Sequence, residues 1–310
     1  MASMLSEEWS ALGRADRKRR VLRQGLAGSD PVVAVGAHDA MSARLIEGHG
    51  FDAVWVSGFG LSAMAYGLPD LNLVTMTETL EVARRIDAVT SLPVVVDCDN
   101  GYGGLSNVVR TGIEFDRAGL SAVCIEDNLF PKRNSLYQGE ARRELVPTEE
   151  QARRLRAVKE AQESEAFVVI ARVEALIAGH GVEPALERAL AYAEAGADAI
   201  LIHSKDKTLG EIEGFLQAWQ GAGVEKPLVA VPTLFPDYTS KELGAKGFAM
   251  VILANHPMRA SVQAMEDTLS VLAKEGRAAD VDPQISPVNH IFELVHTQET
   301  IEAEESGHPR

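Results

Sequence analysis

Eight short apolar segments recur along this chain, each followed by a stretch with helical periodicity, and this alternation limits the possible folds more than any other feature. The segments are residues 31–36, 51–56, 93–98, 122–126, 167–172, 197–203, 227–231 and 248–253. Nearly continuous apolar runs are typical of strands buried on both faces of a parallel sheet. Eight such units predict a closed (β/α)8 barrel of the TIM type. A doubly wound open sheet is the alternative, but no G-x-G-x-x-G follows the first strand.

The barrel prediction divides the 310 residues into three parts. Residues 1–30 form an N-terminal extension, residues 31–278 the barrel domain, and residues 279–310 a C-terminal helical extension. The extension carries a predicted helix over residues 288–302. Its apolar side chains need burial, either on its own barrel or on another subunit. They are Val288, Ile291, Phe292 and Val295.

Charge and cysteine content exclude several classes of protein. A net charge of −15 and a pI near 5.0 argue against a nucleic-acid-binding protein, which would carry a basic surface. Two cysteines provide neither a disulfide framework nor a zinc site. No apolar run reaches 18 residues, and the N-terminal residues are too polar for a secretory signal. We expect a soluble cytoplasmic protein without a nucleic-acid or membrane partner.

Polar residues end seven of the eight predicted strands. In a barrel these ends meet at one mouth, where active sites lie. Each residue alone has an ordinary structural explanation, such as an ion pair between Arg172 and Glu174 or packing for Trp55. The joint pattern favours a site. Its members are Trp55, Ser57 and Gly58, Asp97 and Asp99, Glu126 and Asp127, Arg172 and Glu174, His203 and Ser204, Thr233, and Asn255 and His256.

Three carboxylates in this set suggest a divalent cation. Asp97 and Asp99 are two residues apart after a buried strand, so both can point to one side, and Glu126 ends the next strand. Mg²⁺ prefers oxygen ligands and usually takes one or two carboxylates with water and substrate. Three such charges are unfavourable without a cation or a shared proton. The alternative is a polar turn between strand and helix in which Asp99 or Asn100 caps the helix.

Residues 127–146 lack helical or strand periodicity, and we call them the lid segment because long loops in compact domains are usually functional. Lys132, Asn134 and Ser135 lie within it and, together with Arg172 and His203, supply hydrogen-bond donors. Donors beside a cation site suit an anionic substrate chelated to Mg²⁺, such as a 2-oxo acid carrying a phosphoryl or carboxyl group.

Six motifs together resemble the isocitrate lyase/phosphoenolpyruvate mutase superfamily over about residues 30–300. Members that cleave C–C bonds carry a cysteine in the lid, where this chain has Lys132, Asn134 and Ser135. The pattern Lys-x-Asn-Ser is similar to the phosphomutase branch, which interconverts phosphoenolpyruvate and phosphonopyruvate. Phosphonopyruvate hydrolases usually have threonine where Asn134 stands. The motifs are GAHDAMSA at 36–43, WVSG at 55–58, DCDNGYG at 97–103, IED at 125–127, FPKRNS at 130–135 and ARVEA at 171–175.

The resemblance implies roles for individual residues. Asp97 would bind Mg²⁺ directly, and Asp99 and Glu126 through water. Ser57 and Gly58 would hold the pyruvyl carboxylate, with Trp55 and Phe59 against the substrate. Asn134, Ser135, Arg172 and His203 would hold the phosphoryl group, Asp70 would lie beside its path, and Lys132 would help the lid to close. The resemblance also implies a homodimer or homotetramer that exchanges the C-terminal helix between subunits.

Three departures from the branch pattern leave the exact substrate open. The loop from Trp55 to Asp70 is one residue longer than in the mutases. Asn100 replaces a threonine after the two aspartates, and Asn128 stands where the mutases commonly have lysine. The alternatives are phosphonopyruvate hydrolysis, cleavage of a C–C bond in another 2-oxo or 2-hydroxy diacid, and a barrel without catalytic activity. The last predicts loss of the acidic triad or of Arg172, and all of these residues are present.

Overall fold

The computed structural model describes residues 12–137 and 144–307, and its central feature is a closed barrel of eight parallel strands. Each strand pairs with the next in the chain, and the last pairs with the first. The predicted (β/α)8 architecture is therefore confirmed. The strands are β1 Val32–Ala37, β2 Ala53–Val56, β3 Val94–Asp97, β4 Ala122–Glu126, β5 Val168–Val173, β6 Ala199–Ile202, β7 Leu228–Ala230 and β8 Phe248–Leu253.

Helices alternate with the strands along the chain. One of them, Gly58–Tyr66, follows β2 directly and was not predicted from the sequence. Its sequence GFGLSAMAY is almost entirely apolar, so no alternation of polar and apolar faces marked it. The helices are α1 Arg14–Leu26, α2 Ala40–Gly48, α3 Gly58–Tyr66, α4 Met76–Ala88, α5 Leu105–Arg117, α6 Thr148–Ala161, α7 Val182–Glu194, α8 Gly210–Ala222, α9 Ser240–Ala245, α10 His256–Glu275, α11 Val288–Leu294 and α12 Thr297–Glu305.

The strand residues divide by alternation into two buried clusters. Side chains such as Val54 and Val96 pack outward against the helices, whereas Trp55 and Val95 fill the barrel interior. This period of two follows from the pleat of a strand. Leu22 of α1 joins the interior cluster, so this helix packs against the filled barrel. The odd-even choice along each strand therefore decides which side chains can reach the mouth.

Ion pairs hold α1 in place. Lys18 Nζ lies 2.6 Å from Asp87 Oδ1, and Arg19 Nη2 lies 2.8 Å from Asp116 Oδ1. All four side chains are buried. Because a buried charge is costly without a partner, these pairs require α1 to pack in one orientation. The predicted N-terminal extension of residues 1–30 thus contributes a helix, and its residues 1–11 lie outside the described part.

The chain folds as two compact units, the first ending at His256 and the second beginning at Pro257. The second unit corrects one prediction, because residues 288–302 do not form a single helix. His296 adopts a left-handed conformation with φ of 55°, which separates α11 from α12. The side chains of Val288 and Phe292 are 68% and 50% exposed. Among the residues that the structure describes, no helix combines the length and the apolar character that a membrane span requires.

Candidate active site

A cavity of about 60 Å³ lies at the carboxyl ends of the strands. All the residues to which the sequence assigned a role line it, except Gly58 and Asp99. Both lie close behind, since a Cβ at residue 58 would be 3.3 Å from Asp97 Oδ2 and 3.2 Å from Asp99 Oδ1. The lining residues are Trp55, Ser57, Phe59, Asp70, Asp97, Glu126, Lys132, Arg133, Asn134, Ser135, Leu136, Arg172, His203, Val231, Thr233, Ala254 and Asn255.

Strand alternation explains why the charged residues converge. Asp97 lies two positions after the inward-facing Val95, and Arg172 lies two after the inward-facing Ile170. Glu126 is the register partner of Arg172 on the neighbouring strand. Inward positions at the ends of parallel strands point into the mouth, so the sequence order alone places an acid, another acid and a cation side by side.

Arg172 is the centre of a buried hydrogen-bond network. Its Nε lies 2.5 Å from Glu174 Oε1, and its Nη2 donates to Ser135 Oγ at 2.8 Å. Ser135 Oγ donates in turn to Glu174 Oε2 at 2.7 Å. The lid segment is thereby attached to β5. Burial alone would raise the pKa of Glu174, but Arg172 and His203 outweigh it and hold that pKa well below its ordinary value.

His203 adds a second donor beside the guanidinium. Its Nδ1 lies 3.2 Å from Arg172 Nη2 and 3.3 Å from Glu174 Oε1. Burial lowers the pKa of His203, and the charge of Arg172 adds to this, against the opposing effect of Glu174. The ring is therefore neutral near pH 7. Its Nε2 is buried and has no hydrogen-bond partner among the described residues, so it is available to a ligand.

The acidic side of the cavity is partly neutralised by Lys132. The Lys132 ammonium lies 2.8 Å from Asp70 Oδ1 and also pairs with Asp99. Burial would lower the pKa of Lys132, but Asp70 and Asp99 outweigh it and raise that pKa well above the ordinary value. Burial raises the pKa of Asp99 to about 7, although Lys132 opposes the change. Lys132 thus remains a cation between two carboxyl groups.

Glu126 is the carboxyl group with the weakest compensation. Burial raises its pKa to about 8 against the opposing charges of Arg172 and Lys132. Its Oε2 lies 3.5 Å from Arg172 Nε, while its buried Oε1 has no hydrogen-bond partner in the described ranges. A buried oxygen of this kind is costly unless something binds it. Glu126 and Asp97 share the cavity lining, so oxygen ligands are present there for a hard cation.

The predicted triad does not form one cluster of direct ligands. In the described part of the chain, no group of three or more His, Cys, Asp or Glu side chains is close enough to hold a metal ion. Asp99 is paired with Lys132 instead. Contact of Asp99 and Glu126 with the cation through water therefore stays a prediction. The residues fit a cation at Asp97, with Glu126 nearby.

The lid segment is held at both ends. At its base, Asp127 Oδ2 accepts from Arg188 Nη1 at 3.0 Å and from Tyr192 at 2.8 Å. Arg188 also donates to the carbonyl oxygen of Val146, at the far end of the segment, and Asp127 Oδ1 accepts from the Glu174 N–H. In the middle, Asn134 Nδ2 donates to Asp70 Oδ2 at 2.6 Å. Residues 138–143 of the predicted lid lie outside the described part.

Several residues at or beside the cavity were given no role in the sequence analysis. Glu174 was noted as the ion-pair partner of Arg172, yet its carboxylate also joins Ser135 and His203. Thr233 and Asn255 were recognised only as strand-end residues, and both line the cavity. Two-residue spacing could have identified Glu174. The remaining lining residues not predicted from sequence are Arg133, Leu136, Val231 and Ala254.

Comparison of the sequence with known protein families identifies the family of this chain. A family model described as phosphoenolpyruvate phosphomutase matches residues 22–273. The chain belongs to this family. Its match spans the whole barrel, from the last residues of α1 to the greater part of α10. The resemblance recognised in the six motifs is therefore confirmed.

The relatives of this chain include enzymes named for two different activities, phosphoenolpyruvate phosphomutase and phosphonopyruvate hydrolase. The phosphoenolpyruvate phosphomutase of Tetrahymena pyriformis is 38% identical, over 97% of this chain and 99% of its own. A solved phosphoenolpyruvate phosphomutase from Streptomyces platensis subsp. rosaceus is 42% identical with a TM-score of 0.89, covering 93% of this chain and 98% of that one. A phosphonopyruvate hydrolase solved with oxalate and Mg²⁺ is 39% identical with a TM-score of 0.86 and the same coverage. Identity alone therefore does not separate the two activities.

Proposed function

We propose that this protein is a Mg²⁺-dependent phosphoenolpyruvate phosphomutase, which interconverts phosphoenolpyruvate and phosphonopyruvate. The observation that carries the proposal is Asn134, which lines the cavity and is hydrogen-bonded to Asp70. The resemblance associates asparagine here with the mutases and threonine with the hydrolases. The lid has no cysteine in its sequence, because Cys98 and Cys124 both lie outside it. C–C cleavage of the kind that uses a lid cysteine is thus disfavoured.

The proposed reaction needs no acid or base. In phosphonopyruvate the P–C bond breaks and its electron pair becomes the enolate of pyruvate, while the phosphoryl group passes through a metaphosphate-like state. The enolate oxygen then forms the new P–O bond. Such a transfer depends on positioning and charge stabilisation rather than on covalent chemistry with the protein. The same atoms are present before and after, so no proton or water is consumed.

The residues of the cavity match these requirements. Arg172 would hold the phosphoryl oxygens as negative charge spreads over them. His203 would donate to them in the tautomer that carries its proton on Nε2, with Nδ1 accepting from Arg172 Nη2. Ser135 would donate to them once its hydroxyl turns from Glu174 to the substrate. Asn134 would direct the group from carbon to oxygen. Ser57 and Gly58 would hold the carboxylate end, beside Trp55 and Phe59. The lid segment would exclude water, which would otherwise capture the phosphoryl group as phosphate.

Asp97, Asp99 and Glu126 would hold Mg²⁺. When bound, the ion would neutralise the carboxylate and enolate oxygens of the pyruvyl part. Oε1 of Glu126 has no hydrogen-bond partner among the described residues, and burial raises the pKa of Glu126 to about 8. Both support this assignment, because they indicate that the ionised carboxylate lacks full compensation until a cation binds. The complex of a related hydrolase with oxalate and Mg²⁺ supports it as well.

Assembly and location complete the proposal. We propose a homodimer or homotetramer in which the C-terminal helices are exchanged between subunits. Exposed apolar side chains along α11 support it, including Val288, Ile291 and Phe292. We also propose a cytoplasmic location, which the two buried, unpaired cysteines Cys98 and Cys124 favour.

³¹P NMR of phosphonopyruvate incubated with the protein and Mg²⁺ tests the activity. The expected result is the phosphoenolpyruvate signal, with no change in a matched sample containing EDTA. Phosphate and pyruvate formed without phosphoenolpyruvate would make the protein a hydrolase. An unchanged spectrum would reject both activities and direct the search to C–C cleavage of 2-oxo and 2-hydroxy diacids.

A further inference from the structure

Asn72 does not line the cavity, yet it connects the lid segment to the acidic loop after β3. It lies between α3 and α4. Its Oδ1 accepts from the backbone N–H of Lys132 at 2.6 Å, and its Nδ2 donates to Asp99 Oδ2 at 2.9 Å. Asn100 Nδ2 lies 3.3 Å from the same Oδ1. One side chain therefore contacts the lid with its acceptor and a candidate metal ligand with its donor.

The backbone at Asn72 shows that this placement is specific. Its φ is 58°, in the left-handed region that costs most side chains free energy and that asparagine tolerates better than most. A carboxamide also combines acceptor and donor in one short group. Aspartate would lack the donor and would repel Asp99. Alanine would keep the strain and lose both contacts.

Lys132 connects the lid segment to Asp99 in two ways, through its backbone and through its side chain. Its backbone is held by Asn72, and its ammonium pairs with Asp99, the same carboxylate that Asn72 contacts. Movement of the lid away from the barrel would break both contacts at Lys132. Asp99 would then lose its ammonium partner, and Asn72 would lose the lid N–H that helps to hold its amide. The lid position and the orientation of Asp99 are thus mechanically linked.

We propose that Asn72 is a positioning residue that couples lid closure to the orientation of Asp99. The proposal rests on the proposed Mg²⁺ site. Because coupling is reciprocal, a closed lid places Asp99 for the cation, and a cation bound near Asp99 favours the closed lid. The lid can then close over the substrate only when Asp99 is oriented toward the cation.

The test uses the full-length protein with Asn72→Gly, since glycine accepts the positive φ without strain and removes only the side chain. Gln220→Ala is the matched control, because it also removes a carboxamide. Gln220 is exposed near the end of α8, where the chain returns to the start of β7, at the end of the barrel opposite the mouth. Hydrogen–deuterium exchange of residues 129–137 reports the lid in the metal-free protein. Mn²⁺ binding followed by electron paramagnetic resonance reports the metal site without reference to activity.

In Asn72→Gly, lid exchange in the metal-free protein should be about tenfold faster and the Kd for Mn²⁺ about tenfold higher, the size expected for losing hydrogen bonds of which one is to a charged group. Gln220→Ala should match wild type in both. If wild type binds Mn²⁺ and Asn72→Gly matches it in either measurement, the coupling is overturned while the proposed function stands. If wild type binds no Mn²⁺, the proposed metal site is overturned and the coupling with it.

Discussion

Asn134 Nδ2 donates a hydrogen bond to Asp70 Oδ2 at 2.6 Å, which joins the lid segment to the loop between α3 and α4. The other oxygen of Asp70 lies 2.8 Å from Lys132 Nζ, so two lid residues share one buried carboxylate. Asn134 Oδ1 accepts from the Leu136 N–H at 2.9 Å, which fixes the orientation of the amide. This side chain is therefore held rigidly at the cavity, where a migrating phosphoryl group needs a positioned donor.

Replacing Asn134 should change the outcome of the reaction as well as its rate. Asn134→Ala should lower kcat about 100-fold, the size of effect seen when one positioned donor is lost. Asn134→Thr should raise the ratio of phosphate to phosphoenolpyruvate measured by ³¹P NMR, because threonine is the residue associated with the hydrolases. Leu129→Ala, which alters an exposed side chain, serves as a control in the same lid segment. An unchanged product ratio in Asn134→Thr would contradict the assignment of Asn134 as the discriminating residue.

Glu174 should act through Arg172 rather than on the substrate. In Glu174→Gln the guanidinium loses its closest charge partner while it stays buried, so the free energy of unfolding should fall by about 3 kcal/mol. KM should rise, since Arg172 is no longer held toward the phosphoryl group. Ser135→Ala removes two hydrogen bonds to charged groups but leaves the ion pair between Arg172 and Glu174 in place, and it should cost about 1.5 kcal/mol. Chemical denaturation and steady-state kinetics measure both effects, and equal losses in the two variants would contradict the role.

Metal binding should stabilise the fold only when Asp97 is intact. A ligand that binds the native state raises stability in proportion to the logarithm of its concentration over Kd. Thermal unfolding of wild type should shift upward with millimolar Mg²⁺ and return to the metal-free value with EDTA. Asp97→Asn should show no shift. An undiminished shift in that variant would place the cation elsewhere.

His203 should make stability fall at mildly acidic pH. Its pKa in the folded protein is lowered, so the unfolded chain, with an ordinary pKa of about 6.5, binds a proton that the folded chain does not. Unfolding is then favoured by acid, and stability rises with pH until about 6.5. His203→Gln removes this contribution. Between pH 7 and pH 5 the variant should lose less unfolding free energy than wild type, and an equal loss would contradict a buried neutral imidazole.

The C-terminal unit should be needed for assembly. A chain truncated after Asp282 lacks α11 and α12, including the exposed Phe292 and Val295. Its mass by light scattering should fall to that of a smaller assembly or a monomer. A double substitution, Val288→Ser with Phe292→Ser, provides a version that keeps the full chain. An unchanged oligomer in both would exclude the exchange of helices.

Two features, a helix and a helix break, were missed in the sequence analysis, because the local sequence pattern does not indicate either of them. The helix Gly58–Tyr66 is apolar on all sides, so its periodicity carries no signal, and the Ser57 side chain accepting from the Gly60 N–H was too short a pattern to predict it. The break at His296 depends on one left-handed backbone conformation, which histidine enters only in a specific context. Neither error changed the residues predicted at the barrel mouth, because Asp97, Glu126, Arg172 and His203 lie at or next to the ends of strands that were predicted.

The order of strands and the side of the barrel on which Asp97, Glu126, Arg172 and His203 lie were determined by the sequence itself. Periodicities of two and 3.6 residues are local properties, and a parallel barrel brings all strand ends to one mouth. The contacts between distant segments were decided only by the tertiary structure. These include Lys132 between Asp70 and Asp99, and Asn72 between the lid and Asp99. They join loops without periodicity, and burial and charge select such partners only once the strands have brought the loops together.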